Sequence, residues 1–223
     1  MTNNIIVAID ETDMVSIKRI IDSLDHNKCL IKVGSVSYNS VGKEAIYFAA
    51  ERGFDIFLDL KLHDIPNTVK KTILGLSSLP ISILTIHTSG GLNMMNAAMD
   101  AVAGSNIKVF GVTALTSLSD KDTNIIYQRT SLEHVHAMLD LAEKADIHGV
   151  VCSPHEVEIV RKTKKLLSIT PGIRLYKSND DQTRVMTPKE ALDLGADYIV
   201  VGRPITESDN ISAALDQIYE STK

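Results

Sequence analysis

DIFLDLKLHDIPNT, residues 55–68, begins as a strand and ends as something else. Phe57, Leu58, Leu60 and Leu62 suit a strand covered on both faces, but Asp59 and Lys61 interrupt them two residues apart. Alternate residues of a strand share a face, so Phe57, Asp59 and Lys61 point the same way. Burying an acid beside a base is costly unless the two are paired or used for chemistry. Asp64 follows just past the strand end.

Seven further segments read as short apolar strands: IIVAID (5–10), CLIKVG (29–34), ISILTIH (81–87), IKVFGVTAL (107–115), HGVVCS (148–153), LLSITPG (166–172) and DYIVVG (197–202). Amphipathic stretches separate them. In EAIYFAAERGF, Ile46, Ala49 and Ala50 share a helical face, and in LEHVHAMLDLAEKA, Leu132, Val135, Leu139 and Ala142 share another. Ser153-Pro154-His155-Glu156 and Thr187-Pro188-Lys189-Glu190 read as helix starts, each with a hydroxyl cap, proline first and glutamate third. About eight strand–helix units without a low-complexity linker read best as an α/β fold, a single (β/α)8 TIM barrel spanning residues 1–223. Alternation alone also fits an open doubly wound sheet, although no GxGxxG follows the first strand.

On this reading the polar residues converge. Ile6, Ala8 and Asp10 share a face on the first strand, Leu30 and Lys32 on the second, Ile83, Thr85 and His87 on the fourth. Each polar residue lies near a carboxyl end, where such barrels carry their active sites. Taken singly, Asp10 also fits a turn start, Lys32 a snorkelling strand end, and His87 a ring that satisfies a backbone group. His63 reads as facing away from the pocket. The Asp59–Lys61 pair resists such readings, because an inward acid and base serve folding poorly. At the far end, Gly202 and Arg203 follow the eighth strand, where barrels often bind phosphate through backbone N–H groups. Arg203 adds a fork of donors. GIRLYKSNDDQTRVMT (172–187) is a long polar loop bearing Arg174, Gln182 and Arg184, and its length reads as a lid or a disordered segment.

The chain has 223 residues, 44% hydrophobic and 23% charged, an ordinary composition for a folded protein. Its formal net charge of −5 argues against a nucleic-acid scaffold. Cys29 and Cys152 lie far apart without metal-ligand spacing and read as buried thiols of a reducing compartment. No basic leader and no run of apolar residues long enough for a membrane helix is visible, so a cytoplasmic location is expected.

Eight pieces occur together: VAID (7–10), IKVG (31–34), DLKLHDIPNT (59–68), IHTSGG (86–91), VTALTS (112–117), PGIR (171–174), DQTRVMTP (181–188) and VGRPI (201–205). In these, and in their order, the chain resembles the orotidine 5'-monophosphate decarboxylases in their bacterial form. The Asp-x-Lys-x-x-Asp core is shared with sugar-phosphate relatives; HDIPNT, DQTRVMTP and VGRPI are more specific. The resemblance implies loss of CO2 from orotidylate to give uridylate in pyrimidine biosynthesis, with no cofactor and no metal. It implies an alternating charge array of Lys32, Asp59, Lys61 and Asp64, with Lys61 stabilising and then protonating the ring carbanion. It further implies that Asp64 and Thr68 reach into the neighbouring site of a homodimer. Asp10, Lys32 and Thr68 would hold the ribose hydroxyls, Thr116 the pyrimidine edge, and Arg174, Gln182, Gly202 and Arg203 the phosphate. The stretch SVSYNSVGKEAI (35–46) departs from the usual aromatic- and proline-bearing segment, and LYKSND (175–180) is idiosyncratic. Two rivals stand beside this reading: a sugar-phosphate relative that stabilises an enediolate with Mg2+, and a silent barrel that only binds a nucleotide.

Overall fold

The computed structural model describes residues 4–163, 165–175 and 186–223. Eight parallel strands close on themselves in sequence order: β1 (Ile5–Ile9), β2 (Leu30–Gly34), β3 (Ile56–Leu62), β4 (Ile83–His87), β5 (Lys108–Val112), β6 (Gly149–Val151), β7 (Leu167–Thr170) and β8 (Tyr198–Val201), with β8 pairing back onto β1. Closure rules out the open-sheet alternative. The expected strands are all present, with ends that differ by up to three residues; the largest overshoot is at β5, which stops at Val112.

The helices are α1 (Met14–Asp22), α2 (Ser35–Val41), α3 (Glu44–Ala50), α4 (Pro66–Leu76), α5 (Gly91–Val102), α6 (Asp120–Tyr127), α7 (Ser131–Lys144), α8 (Val157–Lys162), α9 (Pro188–Asp193), α10 (Arg203–Thr206) and α11 (Ile211–Ser221). Thr187 caps α9 as expected, its hydroxyl exchanging hydrogen bonds with Glu190. Ser153 instead opens a 3-10 turn ahead of α8, and its backbone N–H donates to Glu156 at 2.9 Å. One face assignment fails. Leu132 is 53% exposed, whereas Val135, Leu139 and Ala142 are buried. Position 132 lies in the first turn of α7, which leaves its side chain uncovered.

Strand alternation divides the core into two layers. Ile5, Val7, Ile9, Ile31, Val33, Ile56 and Leu58 face outward and pack on the helices. Ile6, Ala8, Leu30, Phe57, Ile83, Phe110, Val112, Val151, Ile169 and Val200 fill the barrel. Phe110 fits there because Gly149 beside it has no side chain; a Cβ at 149 would collide with the ring. The apolar filling ends at the level of Ala8, Lys32 and Phe57, which are register partners across β1, β2 and β3. Above that level the carboxyl ends of the strands carry charge.

Candidate active site

A cavity of about 500 Å3 opens at the carboxyl ends of the strands, and its floor is made by Ala8, Phe57, Val151, Ile169 and Val200. Asp10, Lys32, Asp59 and Lys61 rise on one side, and Arg174, Gly202 and Arg203 on the other, with Thr116 between them.

The charged side is tied together by short contacts. Lys61 Nζ lies 2.6 Å from Asp59 Oδ2, and Lys32 Nζ lies 3.7 Å from the same oxygen. Lys32 Nζ also donates to Asp10 Oδ1 at 3.1 Å. The side chains of Lys32 and Asp59 are nearly buried, at 11% and 9% exposure; that of Lys61 is 35% exposed and reaches the open space. Burial alone would raise the Asp59 carboxyl, but the charges of Lys32 and Lys61, with hydrogen bonds from Lys61 and Thr85, more than offset it. Asp59 is therefore held below the usual carboxylate range and stays ionised.

Thr85 has a part that sequence reasoning did not give it. Its hydroxyl donates to Asp59 Oδ1 at 2.9 Å and accepts the backbone N–H of Lys61 at 2.9 Å. The β3–β4 register sets Phe57 against Ile83, so the same spacing brings Asp59 beside Thr85. A polar residue facing inward on a strand next to a charge was the available signal.

The strand itself departs from regular alternation at the key residue. Leu58 pairs with Leu84, but Leu62 pairs with Ile86, so β3 uses two more residues than β4 over this step. Lys61 takes up the excess with φ of +51°, a left-handed conformation that costs a non-glycine residue about 1–2 kcal/mol. The irregularity redirects Lys61 while Thr85 holds its amide. His87, expected on the inward face, is half-buried and absent from the cavity lining. Its ring packs against exposed His63, with centroids 5.3 Å apart. Burial first, then the nearby charges of His63 and Lys61, push His87 below the ordinary histidine value, against a smaller opposing pull from Asp59.

On the opposite rim, Arg174 is buried to 9% exposure, and its Nη1 donates to the Ile173 carbonyl at 3.0 Å. Arg203 is exposed at the start of α10, directly after Gly202. Glu11, Pro171, Gly172, Thr206 and Glu207 also line the cavity and were not singled out from the sequence. Gln182 and Arg184 lie outside the described residues. Asp64 and Thr68 are exposed and do not line this chain's own cavity; an Asp64 carboxylate oxygen accepts the N–H of Ile65 at 2.7 Å. Cys29 and Cys152 are both free and buried, which raises their thiols and leaves them unreactive. Among the described residues no helix is long and apolar enough to cross a membrane.

The fold and the charged mouth define a (β/α)8-barrel enzyme. Residues 3–218 match the model of the orotidine 5'-phosphate decarboxylase / HUMPS family, and the chain belongs to that family. It is 41% identical over 220 residues to the orotidine 5'-phosphate decarboxylase of Saccharophagus degradans, covering 96% of this chain and 92% of that one. It is 42% identical over 222 residues to the enzyme of the same name from Ehrlichia canis, covering 98% and 97%. The crystal structure of orotidine 5'-phosphate decarboxylase from Lactobacillus acidophilus superposes with a TM-score of 0.87 at 34% identity, over 100% of both chains.

Proposed function

We propose that the protein decarboxylates orotidine 5'-monophosphate to uridine 5'-monophosphate without a cofactor, with Lys61 as the group that stabilises and protonates the ring carbon. Family membership supplies the coarser part: a carboxy-lyase of pyrimidine biosynthesis. The observation that carries the finer part is the Lys61 ammonium, 2.6 Å from a nearly buried Asp59 and open to the cavity.

When the carboxylate leaves as CO2, its bonding electron pair stays on the ring carbon, in the ring plane, where the π system absorbs it poorly. A fixed cation beside that carbon lowers the energy of the developing charge. Lys61 then gives one N–H proton to the carbon, forming the C–H bond, and regains a proton from water. Asp59 faces the substrate carboxylate, a repulsion relieved as CO2 departs. At ~4 Å and an effective dielectric of ~20, one such charge pair is worth roughly 4 kcal/mol, about a thousandfold in rate. Lys32 and Asp10 hold the ribose hydroxyls, Thr116 the pyrimidine edge, and Arg174, Gly202 and Arg203 the phosphate, whose binding energy orients the ring.

Asp64 and Thr68 are read as serving the site of a second copy. They stand on a continuously exposed stretch, residues 63–68, that includes Ile65 at 66% exposure. Sedimentation of the purified protein as a monomer at assay concentrations would remove that part. The chemistry itself is tested by following orotidylate absorbance with purified protein, with and without EDTA. Turnover that survives the chelator supports the reading; turnover abolished by it would return the site to the metal-assisted sugar-phosphate chemistry.

A further inference from the structure

The segment after β2 is one of two places where this chain departs from the pattern it otherwise resembles, and it holds a fully buried hydroxyl. Ser37, in the first turn of α2, has 0% exposure. Its Oγ lies 2.8 Å from the Ile9 carbonyl and 2.8 Å from the Glu11 carbonyl. Those carbonyls flank Asp10. One hydroxyl hydrogen, shared between two acceptors, thus bridges the backbone before and after that residue. The Asp10 side chain is itself 53% exposed, so side-chain packing does little to fix it.

Gly34, immediately before α2, provides the matching space. It is the register partner of Asp59, and it lies one residue beyond the Ile9–Val33 pair, which sets it beside Asp10 as well. The two carboxylates stand on either side of a position without a side chain. A Cβ at Gly34 would fall 2.8 Å from Lys32 Nζ and 3.1 Å from Asp10 Oδ1. The Lys32 ammonium occupies the room that glycine leaves. Gly34 has φ of −95° and ψ of −175°, extended backbone that any residue adopts, so the glycine is explained by space and not by conformation.

We propose that Ser37 and Gly34 are positioning residues for the Asp10–Lys32 pair: Ser37 pins the Asp10 backbone, and Gly34 leaves the slot in which the Lys32 ammonium meets Asp10 and Asp59. The inference rests on the reading of Asp10 and Lys32 as the grip on the ribose hydroxyls. It places a determinant of substrate affinity in α2, away from the cavity lining.

Steady-state kinetics with orotidine 5'-monophosphate test it. Ser37→Ala is expected to raise KM about tenfold with kcat within about threefold of wild type, because binding is lost without loss of the reacting groups. If Ala at this site prevents folding, Ser37→Cys, of similar volume but a weaker donor, carries the same expectation. Gly34→Ala is expected to raise KM by a similar factor with an unchanged melting temperature. The double variant Ser37→Ala/Asp10→Asn should be no worse than Asp10→Asn alone, since both act through one carboxylate. A wild-type KM in the Ser37 variants, or additive losses in the double variant, would overturn the proposal. A wild-type KM in Asp10→Asn would instead overturn the ribose assignment on which it rests.

Discussion

The two rims of the cavity are built on opposite plans. On the β1–β4 side, Asp10, Lys32, Asp59, Lys61 and Thr85 form a bonded chain in which each charge is held by the next. On the β7–β8 side, Arg203 stands exposed at the head of a four-residue helix, while Arg174 is buried. The difference teaches which job each rim suits. Stabilising charge at one atom requires donors that do not have to move, so their organisation is completed during folding. Holding a phosphate requires positive charge and donors, and tolerates a partner that closes on arrival.

Four variants would break or sharpen that contrast. Removing Lys61 should do most: Lys61→Ala is expected to lower kcat at least about a thousandfold while product still binds. Substantial residual decarboxylation would mean that the bonded rim is not the chemical one. Arg203→Ala should lower kcat/KM about a hundredfold with the melting curve unmoved, as loss of a charge-assisted contact at an exposed site predicts. Near-normal kinetics would remove the phosphate assignment. Thr85→Val keeps the shape but leaves the Lys61 amide without its acceptor and Asp59 short of a donor. It should cost about 2 kcal/mol of stability and about tenfold in kcat, read by denaturant unfolding and by turnover. An unfolding midpoint equal to wild type would show that the hydroxyl is dispensable.

The smallest effect concerns pH. His87 sits below the ordinary value of 6.5, so between its folded and unfolded values the unfolded chain binds more protons. Stability therefore falls as pH drops through about 6.5, and the loss levels off once the folded ring also charges. His134 and His148 are lowered as well, chiefly by burial, and add slope in the same direction. His87→Asn should flatten the dependence of melting temperature on pH between about 7 and 5. A slope identical to wild type would show that His87 does not titrate abnormally. Asp59 works in the same direction at lower pH: held below 3.8, its contribution persists through this range and is lost only in stronger acid.

Much of this architecture was readable in advance because covered parallel strands are apolar throughout, so a charge within one stands out. Asp59, Lys61 and Lys32 were visible for that reason, and the carboxyl-end rule gathered them with Asp10 and Arg203, whereas Thr116 came only from the resemblance. Alternation failed where register failed. The two extra residues in β3 depend on how it meets β4, which no single strand reveals, and the altered spacing accompanies the exclusion of His87 from the cavity. Thr85 went unassigned because a threonine on a strand is ordinary until a carboxylate is set beside it. Leu132 misled because a helix-period pattern does not say whether the first turn of the helix is covered. The space at Gly34 is a property of three strands together.

Because the Thr85 hydroxyl joins the Lys61 main chain to the Asp59 side chain, the acid–base couple belongs to two adjacent strands, and its internal contacts need nothing beyond residues 56–87. New termini opened in a loop elsewhere, with the old ends joined, would leave that cassette whole. The same two strands, transplanted together, are the smallest piece of this molecule that would take the couple with them.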